Sequence, residues 1–239
     1  VKTIYHTLVW TRYALRFLLI IFALWGILAV SMLWLGDVLH GEVIAFASRT
    51  TSSSFRSIYL VDVNRNMRWR LTPSGADYSF PAWSTDRQQI LVSAALPGVM
   101  NYQLYLIDGY SHRDTQLTKG STSVFSPVWS PNGQHIAFQQ GVSGIFITDV
   151  NENGPRRLAT GISPVWSPDG QHIVFTSDRD GNQEIYKMDG NGSNQQRLTT
   201  NDGDDNSPVW SPDGQHIVLI SDRDGNNKIY VMNADGNNS

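Results

Sequence analysis

Through the second half of the chain, apolar and polar positions alternate in short runs, and each run ends at Gly, Pro, Asn or Asp. Ser163-Pro-Val-Trp-Ser167, Ile173-Val-Phe-Thr-Ser177, Glu184-Ile-Tyr-Lys-Met188 and Gln196-Arg-Leu-Thr199 form one such series. Runs this short, rich in β-branched and aromatic residues and bounded by turn formers, predict strands. Pro168-Asp-Gly170 predicts a tight turn between the first two, because proline presets φ and glycine accepts positive φ. The Asp-Gly pair inside Ser177-Asp-Arg-Asp-Gly-Asn182 predicts a hairpin between the second and third.

The series repeats. Trp83-Ser-Thr-Asp-Arg-Gln-Gln-Ile, Trp129-Ser-Pro-Asn-Gly-Gln-His-Ile, Trp166-Ser-Pro-Asp-Gly-Gln-His-Ile and Trp210-Ser-Pro-Asp-Gly-Gln-His-Ile are near-copies, with tryptophans 46, 37 and 44 residues apart. A period of about 40 to 45 residues containing strand and turn chemistry predicts propeller blades and overrides a domain count made from length. The predicted fold class is all-β, a β-propeller of four-stranded blades with about five repeats over residues 42–239, preceded by one transmembrane α-helix. A single blade cannot cover both faces of its sheet, so neighbours must stack. Trp83, Trp129, Trp166 and Trp210, with the Ile-x-Phe and Ile-Tyr pairs, supply that packing. The first repeat begins at Val43-Ile-Ala-Phe-Ala47 without a Trp-Ser segment, and the last stops after Ile229-Tyr-Val-Met232 without an Arg-Leu-Thr segment. Open sheet edges are a liability. The expectation is therefore a sequence that stops inside a longer protein, where about 15 more residues close five blades and about one more repeat makes six. An open five-blade arc protected by a partner is the alternative.

A different pattern opens the chain. Phe17 to Leu35 is a run of 19 residues without a charge, and at about 1.5 Å per residue it nearly crosses a hydrocarbon core of about 30 Å. This predicts a cytoplasmic segment over 1–16, a transmembrane helix over 17–35 and a short linker over 36–41. Lys2, Arg12 and Arg16 precede the run, whereas Asp37 and Glu42 follow it. The positive-inside bias then leaves the N-terminus in the cytoplasm and the repeats in the periplasm or outside the cell, on a single-pass protein of the cell membrane. Tyr13 and Trp34 stand at the interfacial positions. A cleaved signal peptide with Ala29-Val-Ser31 as its small-residue site is the competing account, but the apolar run is longer than such regions and continues through Leu35.

Charge and chemistry narrow the function classes. Three of the 18 basic residues precede the apolar run, so the remaining chain is outweighed by its 21 acidic residues and lacks the basic footprint of a nucleic-acid binder. Arg65, Arg68 and Arg70 form a local cluster beside Trp69, read as a solvated strand face rather than an anionic docking patch. The absence of cysteine excludes disulfides, thiolate metal sites and a cysteine nucleophile. His135, His172 and His216 recur at one repeat position, where the first Trp-containing repeat has Gln89; they are spread around different blades rather than gathered into a site. Gly141-Val-Ser-Gly-Ile145 fails the nucleophile-elbow pattern at its last position, and phosphate-loop and zinc-protease signatures are absent. Asp178-Arg-Asp-Gly-Asn182 and Asp222-Arg-Asp-Gly-Asn226 resemble the start of a calcium loop but lack its acidic twelfth position, and hairpin turns account for them better. The expectation is a protein without catalytic residues, metal or cofactor.

The stretch SPVWSPDGQHIVFTSDRDGNQEIYKMDGNGSNQQRLT, from Ser163 to Thr199, resembles the TolB-type propeller repeat, also described as the WD40-like PD40 repeat. The resemblance extends from about Glu42 to the end and is strong in the last two repeats, whereas Trp83-Ser-Thr-Asp-Arg lacks the Pro and Gly. It implies a propeller of the kind found in bacterial periplasmic proteins and in the propeller domains of some peptidases. The separate N-terminal domain and cleaved signal of TolB are not evident, so the resemblance does not carry over its partners.

Function in propellers sits in loops, because strands are occupied with packing. The hairpins that depart from Asp-Arg-Asp-Gly are Thr50-Thr-Ser-Ser-Ser-Phe55, Leu96-Pro-Gly-Val-Met100 and Gln139-Gln-Gly-Val-Ser143. Apolar residues at a loop tip suggest partner or membrane contact, which makes Phe55, Leu96, Pro97, Val99 and Met100 candidate contact residues; a loop folded back on its own blade is the alternative. The expected function is a non-catalytic interaction or scaffold subunit, accessory to a larger bacterial membrane assembly, with protein partners and no nucleic acid. The alternatives are an extracytoplasmic sensor binding a glycan or peptide in the propeller channel, and the propeller part of a longer hydrolase.

Overall fold

The computed structural model describes residues 43–49, 53–109, 113–150 and 154–237. The predicted segment 1–16, helix 17–35 and linker 36–41 lie outside the described residues, as do Thr50, Thr51 and Ser52 of the first hairpin. Among the described residues all regular structure is β, and no helix is long and apolar enough to cross a membrane.

Five antiparallel sheets follow one another in chain order. Blade 1 is β1 (Val43–Arg49), β2 (Arg56–Asp62) and β3 (Met67–Arg70). Blade 2 is β4 (Asp77–Trp83), β5 (Gln89–Ala95), β6 (Gln103–Asp108) and β7 (Asp114–Gln116). Blade 3 is β8 (Val124–Trp129), β9 (His135–Gln140), β10 (Gly144–Asp149) and β11 (Arg156–Thr160). Blade 4 is β12 (Ile162–Trp166), β13 (His172–Ser177), β14 (Glu184–Asp189) and β15 (Gln196–Arg197). Blade 5 is β16 (Asp205–Trp210), β17 (His216–Ser221) and β18 (Lys228–Asn233). Each Trp-Ser segment is the first strand of its blade, and the ends of these four strands surround one apolar recess, so they line the central axis.

Strand alternation explains the stacking. Side chains one residue apart point to opposite faces of a sheet, so Ile136 and Phe138 of β9 pack on Leu91, Leu104 and Leu106 of blade 2, while Ala137 faces Ile173, Phe175 and Met188 of blade 4. Val174 and Ile185 of blade 4 in turn cover Ile217, Leu219 and Met232 of blade 5. Ile58 and Leu60 of blade 1 cover Ile90, Val92 and Ile107 of blade 2. Full burial of each Ile, Leu or Phe contributes about 1.5–3 kcal/mol, so the four interblade layers are the main source of cohesion. The last face of blade 5 has no such cover among the described residues, and Val209, Ile229 and Val231 are exposed on it.

The Trp-Ser turn explains how a degenerate repeat keeps its shape. Ser167 donates through Oγ to Asp169 Oδ1 at 2.5 Å, and Gln171 N donates to the same carboxylate at 3.0 Å. Ser84 and Asp86 reproduce this at 2.6 Å although Pro and Gly are missing there. Arg87 takes the left-handed φ of 56° that Gly133, Gly170 and Gly214 adopt elsewhere.

Candidate functional site

Strand order places the first-strand starts and all hairpins between second and third strands at one end of the disc, and the Trp-Ser turns at the other. On the hairpin end, each first strand carries a residue of positive φ just before proline: Phe80 (51°), Ser126 (48°), Ser163 (53°) and Ser207 (54°). Pairing with the second strand slips at the same place in all four blades, which makes each a β-bulge. Bulges re-aim side chains. Three blades put Ser at this position and blade 2 puts Phe80, whose ring is left 44% exposed. It meets Phe125 edge to face at 6.4 Å, and Phe125 meets Tyr102 at 5.6 Å. These three rings form a ledge across blades 2 and 3.

A polar cluster holds one end of this ledge. Asp77 accepts hydrogen bonds from the Arg56 main-chain N at 2.7 Å, from Nε at 3.0 Å and Nη2 at 3.1 Å, and from the Tyr102 hydroxyl at 2.5 Å. Burial pushes the Asp77 carboxyl up, but the Arg56 guanidinium, the Tyr102 hydroxyl and the Arg56 amide together outweigh it and hold it at about 2. Burial and the Asp77 contact raise the Tyr102 phenol, which stays protonated as a donor. Blades 1 and 2 are thus latched at the foot of Tyr102.

The described residues of the predicted contact loops lie at the same end of the disc as the ledge. Leu96 folds back onto the core between blades 1 and 2, while Pro97, Val99 and Met100 face solvent, Met100 being 94% exposed. The fold-back alternative thus holds for Leu96 alone among these residues. Phe55 is exposed at the blade 1 hairpin, where its N–H donates to Ser53 Oγ at 3.1 Å. Val142, within the third hairpin, is 92% exposed. Phe80 escaped the sequence reasoning, which looked only at hairpins; its signal was a Phe at a repeat position held elsewhere by Ser.

Blades 4 and 5 present a contrasting hairpin chemistry. Arg179 donates through Nε to Ser177 Oγ at 3.0 Å and lies 4.6 Å from the Tyr186 ring centroid, and the Tyr186 hydroxyl donates to Asp180. Burial first, and then Asp180, push the Tyr186 phenol up to about 12. Arg223, Ser221, Tyr230 and Asp224 repeat the arrangement. Asp180 and Asp224 thus serve as acceptors within their own hairpins, and no group of three metal-ligating side chains occurs among the described residues. Half of the disc face carries apolar tips and the other half closed polar hairpins.

The remaining candidates are placed as follows. His135 Nδ1 meets Asp149 Oδ1 and His172 Nε2 lies 3.7 Å from Asp189 Oδ1, each across a strand pair, so the recurring histidines sit on separate blades. Arg68 lies over the Phe46 and Tyr59 rings and Arg65 pairs with Asp62 at 3.7 Å. The tryptophans surround the axis at the turn end, where Trp83, Trp129, Trp166 and Trp210 with Val128, Val165 and neighbouring prolines line a recess of about 440 Å³. Trp129 Nε1 donates to Ala82 O of the preceding blade at 3.3 Å.

The family of the TolB beta propeller domain (PD40) matches residues 90–239. TolB from Acinetobacter baumannii superposes with a TM-score of 0.71 at 24% identity, over 82% of this chain and 51% of that one. The putative TolB of Agrobacterium tumefaciens gives 0.65 at 24% identity, over 76% and 67%. An oligogalacturonate lyase from Vibrio parahaemolyticus gives 0.60 at 15% identity, over 83% and 60%, which places an enzyme among the structures sharing the fold. The chain spans about half the length of the Acinetobacter protein. No curated protein matches. Sequence match, repeat chemistry and blade architecture agree, and the chain belongs to the TolB β-propeller family.

Proposed function

We propose that this protein is a non-catalytic, membrane-tethered propeller that docks a protein partner through the apolar half of its hairpin face. The observation that carries this is the gathering of Phe80, Tyr102 and Phe125 with Met100, Val99 and Val142 on one end of blades 2 and 3. Large apolar side chains left in solvent together, rimmed by polar hairpins, mark interaction surfaces. A non-catalytic role is supported by the separation of His135 and His172 onto different blades, each facing an aspartate of its own sheet. The tether rests on the uncharged run Phe17 to Leu35, with the propeller on the extracytoplasmic side and an accessory place in a larger membrane assembly. Confinement beside the bilayer raises the local concentration of membrane partners.

The test is co-purification of the protein from its native membrane in mild detergent, beside a variant carrying Met100→Asp and Val142→Asp. Loss of a stoichiometric partner with an unchanged melting temperature is the expected result. Retention of the partner by the doubly charged variant refutes the docking face. A second reading, ligand capture in the channel, is favoured by the Trp-lined recess at the turn end; the wild type migrating alone selects it.

A further inference from the structure

We infer that the cleft between blades 3 and 4, at the turn end of the disc, is a binding site for a neutral oligosaccharide. The site lies at the opposite end from the apolar hairpins and stands independently of the docking reading. Its volume is about 690 Å³, within the range of about 300–1,000 Å³ that suits small ligands.

The repeat explains why this interface is open. At one position of the third strand, blades 2, 3 and 4 carry Leu106, Ile147 and Lys187. Lys187 crosses to blade 5, where Nζ donates to Ala234 O at 2.9 Å. Ile147 is buried against Trp166 and Ile173 of blade 4 and carries no polar group across the interface, and the cleft opens beside it.

The lining has the chemistry of hydroxyl recognition. Arg156 donates from Nη1 to Asn191 O at 3.1 Å, which fixes the guanidinium against the wall. Asp149 is turned toward His135, its Oδ1 meeting Nδ1, and the carboxylate has a second oxygen as acceptor. The exposed Gln171 side-chain amide makes no hydrogen bond among the described residues and offers both a donor and an acceptor. Trp166 lines the cleft with its ring pressed on Gly190, and its Nε1–H is buried without a partner. The lining carries two carboxylates, Asp149 and Asp189, against Arg156, which disfavours an anion, and Asp189 already accepts from Ser193 and Asn194, so no pair of free carboxylates is left for a cation. Adjacent donors and acceptors suit the vicinal hydroxyls of sugars, each hydroxyl giving one hydrogen bond and accepting another.

The experiment titrates cellotriose, maltotriose and N,N′,N″-triacetylchitotriose into the full chain, held in a detergent without a sugar head group, and follows binding by saturation-transfer NMR and calorimetry. Saturable binding of at least one trisaccharide, weakened about 10-fold or more by Gln171→Ala and by Asp149→Asn and unaltered by Met100→Asp, is expected. Gln171→Ala removes no side-chain hydrogen bond among the described residues, so it reads the cleft without a folding loss. The inference is overturned if none of the three binds at up to about 10 mM, or if the bound sugar keeps its affinity in both cleft variants.

Discussion

Replacing Asp77 by Asn tests the electrostatic latch beneath the aromatic ledge. The wild-type carboxylate is mostly buried, with 14% of its side chain exposed, and accepts from both Arg56 and Tyr102. Its pKa falls from 3.8 to about 2 on folding, and at about 1.4 kcal/mol per unit the ionised form contributes about 2 kcal/mol to stability. Asn retains an oxygen for the Arg56 amide but turns an NH₂ toward the guanidinium or the phenol, so that contribution is lost. Because the folded pKa lies below the unfolded one, the wild-type advantage is fully present above the unfolded value of 3.8, declines as pH falls through the window down to about 2, and is gone below it. Urea unfolding followed by tryptophan fluorescence, on both proteins from neutral pH into acid, measures the difference. Other titrating groups are common to both proteins and cancel. A gap of about 2 kcal/mol at neutral pH that closes in acid is expected; a gap that stays constant into acid, or is absent at neutral pH, refutes the argument.

Three further substitutions separate packing from buried charge. In Gly190→Ala the new Cβ lies 2.7 Å from Trp166 Cζ3, and displacing a packed indole costs about 1–3 kcal/mol, read as a lower urea midpoint; an unchanged midpoint contradicts the close approach. Arg223→Ala removes the guanidinium from Asp205, a fully buried carboxylate that then keeps only Asn201 as a partner, and such a loss costs about 3–5 kcal/mol. Arg179 occupies the same repeat position but donates to the Thr160 carbonyl, so Arg179→Ala costs less, about 1–3 kcal/mol. Equal destabilisation of the two by urea unfolding rules out the buried-charge explanation.

The propeller was legible in the chain because its information is local and repeated. A strand of four to seven residues, an Asx turn at Ser167 and Asp169, and an Asp-Gly hairpin each arise from neighbours within a few positions. Four copies of the turn make the pattern unmistakable. The departing loops were legible for a related reason, since Leu96-Pro-Gly-Val-Met100 stood out against the Asp-Arg-Asp-Gly of later repeats. Which residues of that loop face solvent was not legible. Leu96 and Met100 are both apolar, and only the gap between blades 1 and 2 decides that one of them is taken inside.

Sequence alone therefore determined the blade as a unit, the order of its strands, its turns and the positions where loops depart from the repeat. Tertiary structure decided what those units do to one another. Phe80, Tyr102 and Phe125 come from different segments and meet only because a bulge turns Phe80 out as two blades stack. The open cleft beside Ile147 and the bridged one beside Lys187 differ in how far a side chain reaches into the next blade. The physical reason is one of range. Turn and strand preferences are set by backbone torsions and nearby hydrogen bonds, whereas ledges and clefts depend on the spacing between sheets, which no single repeat contains.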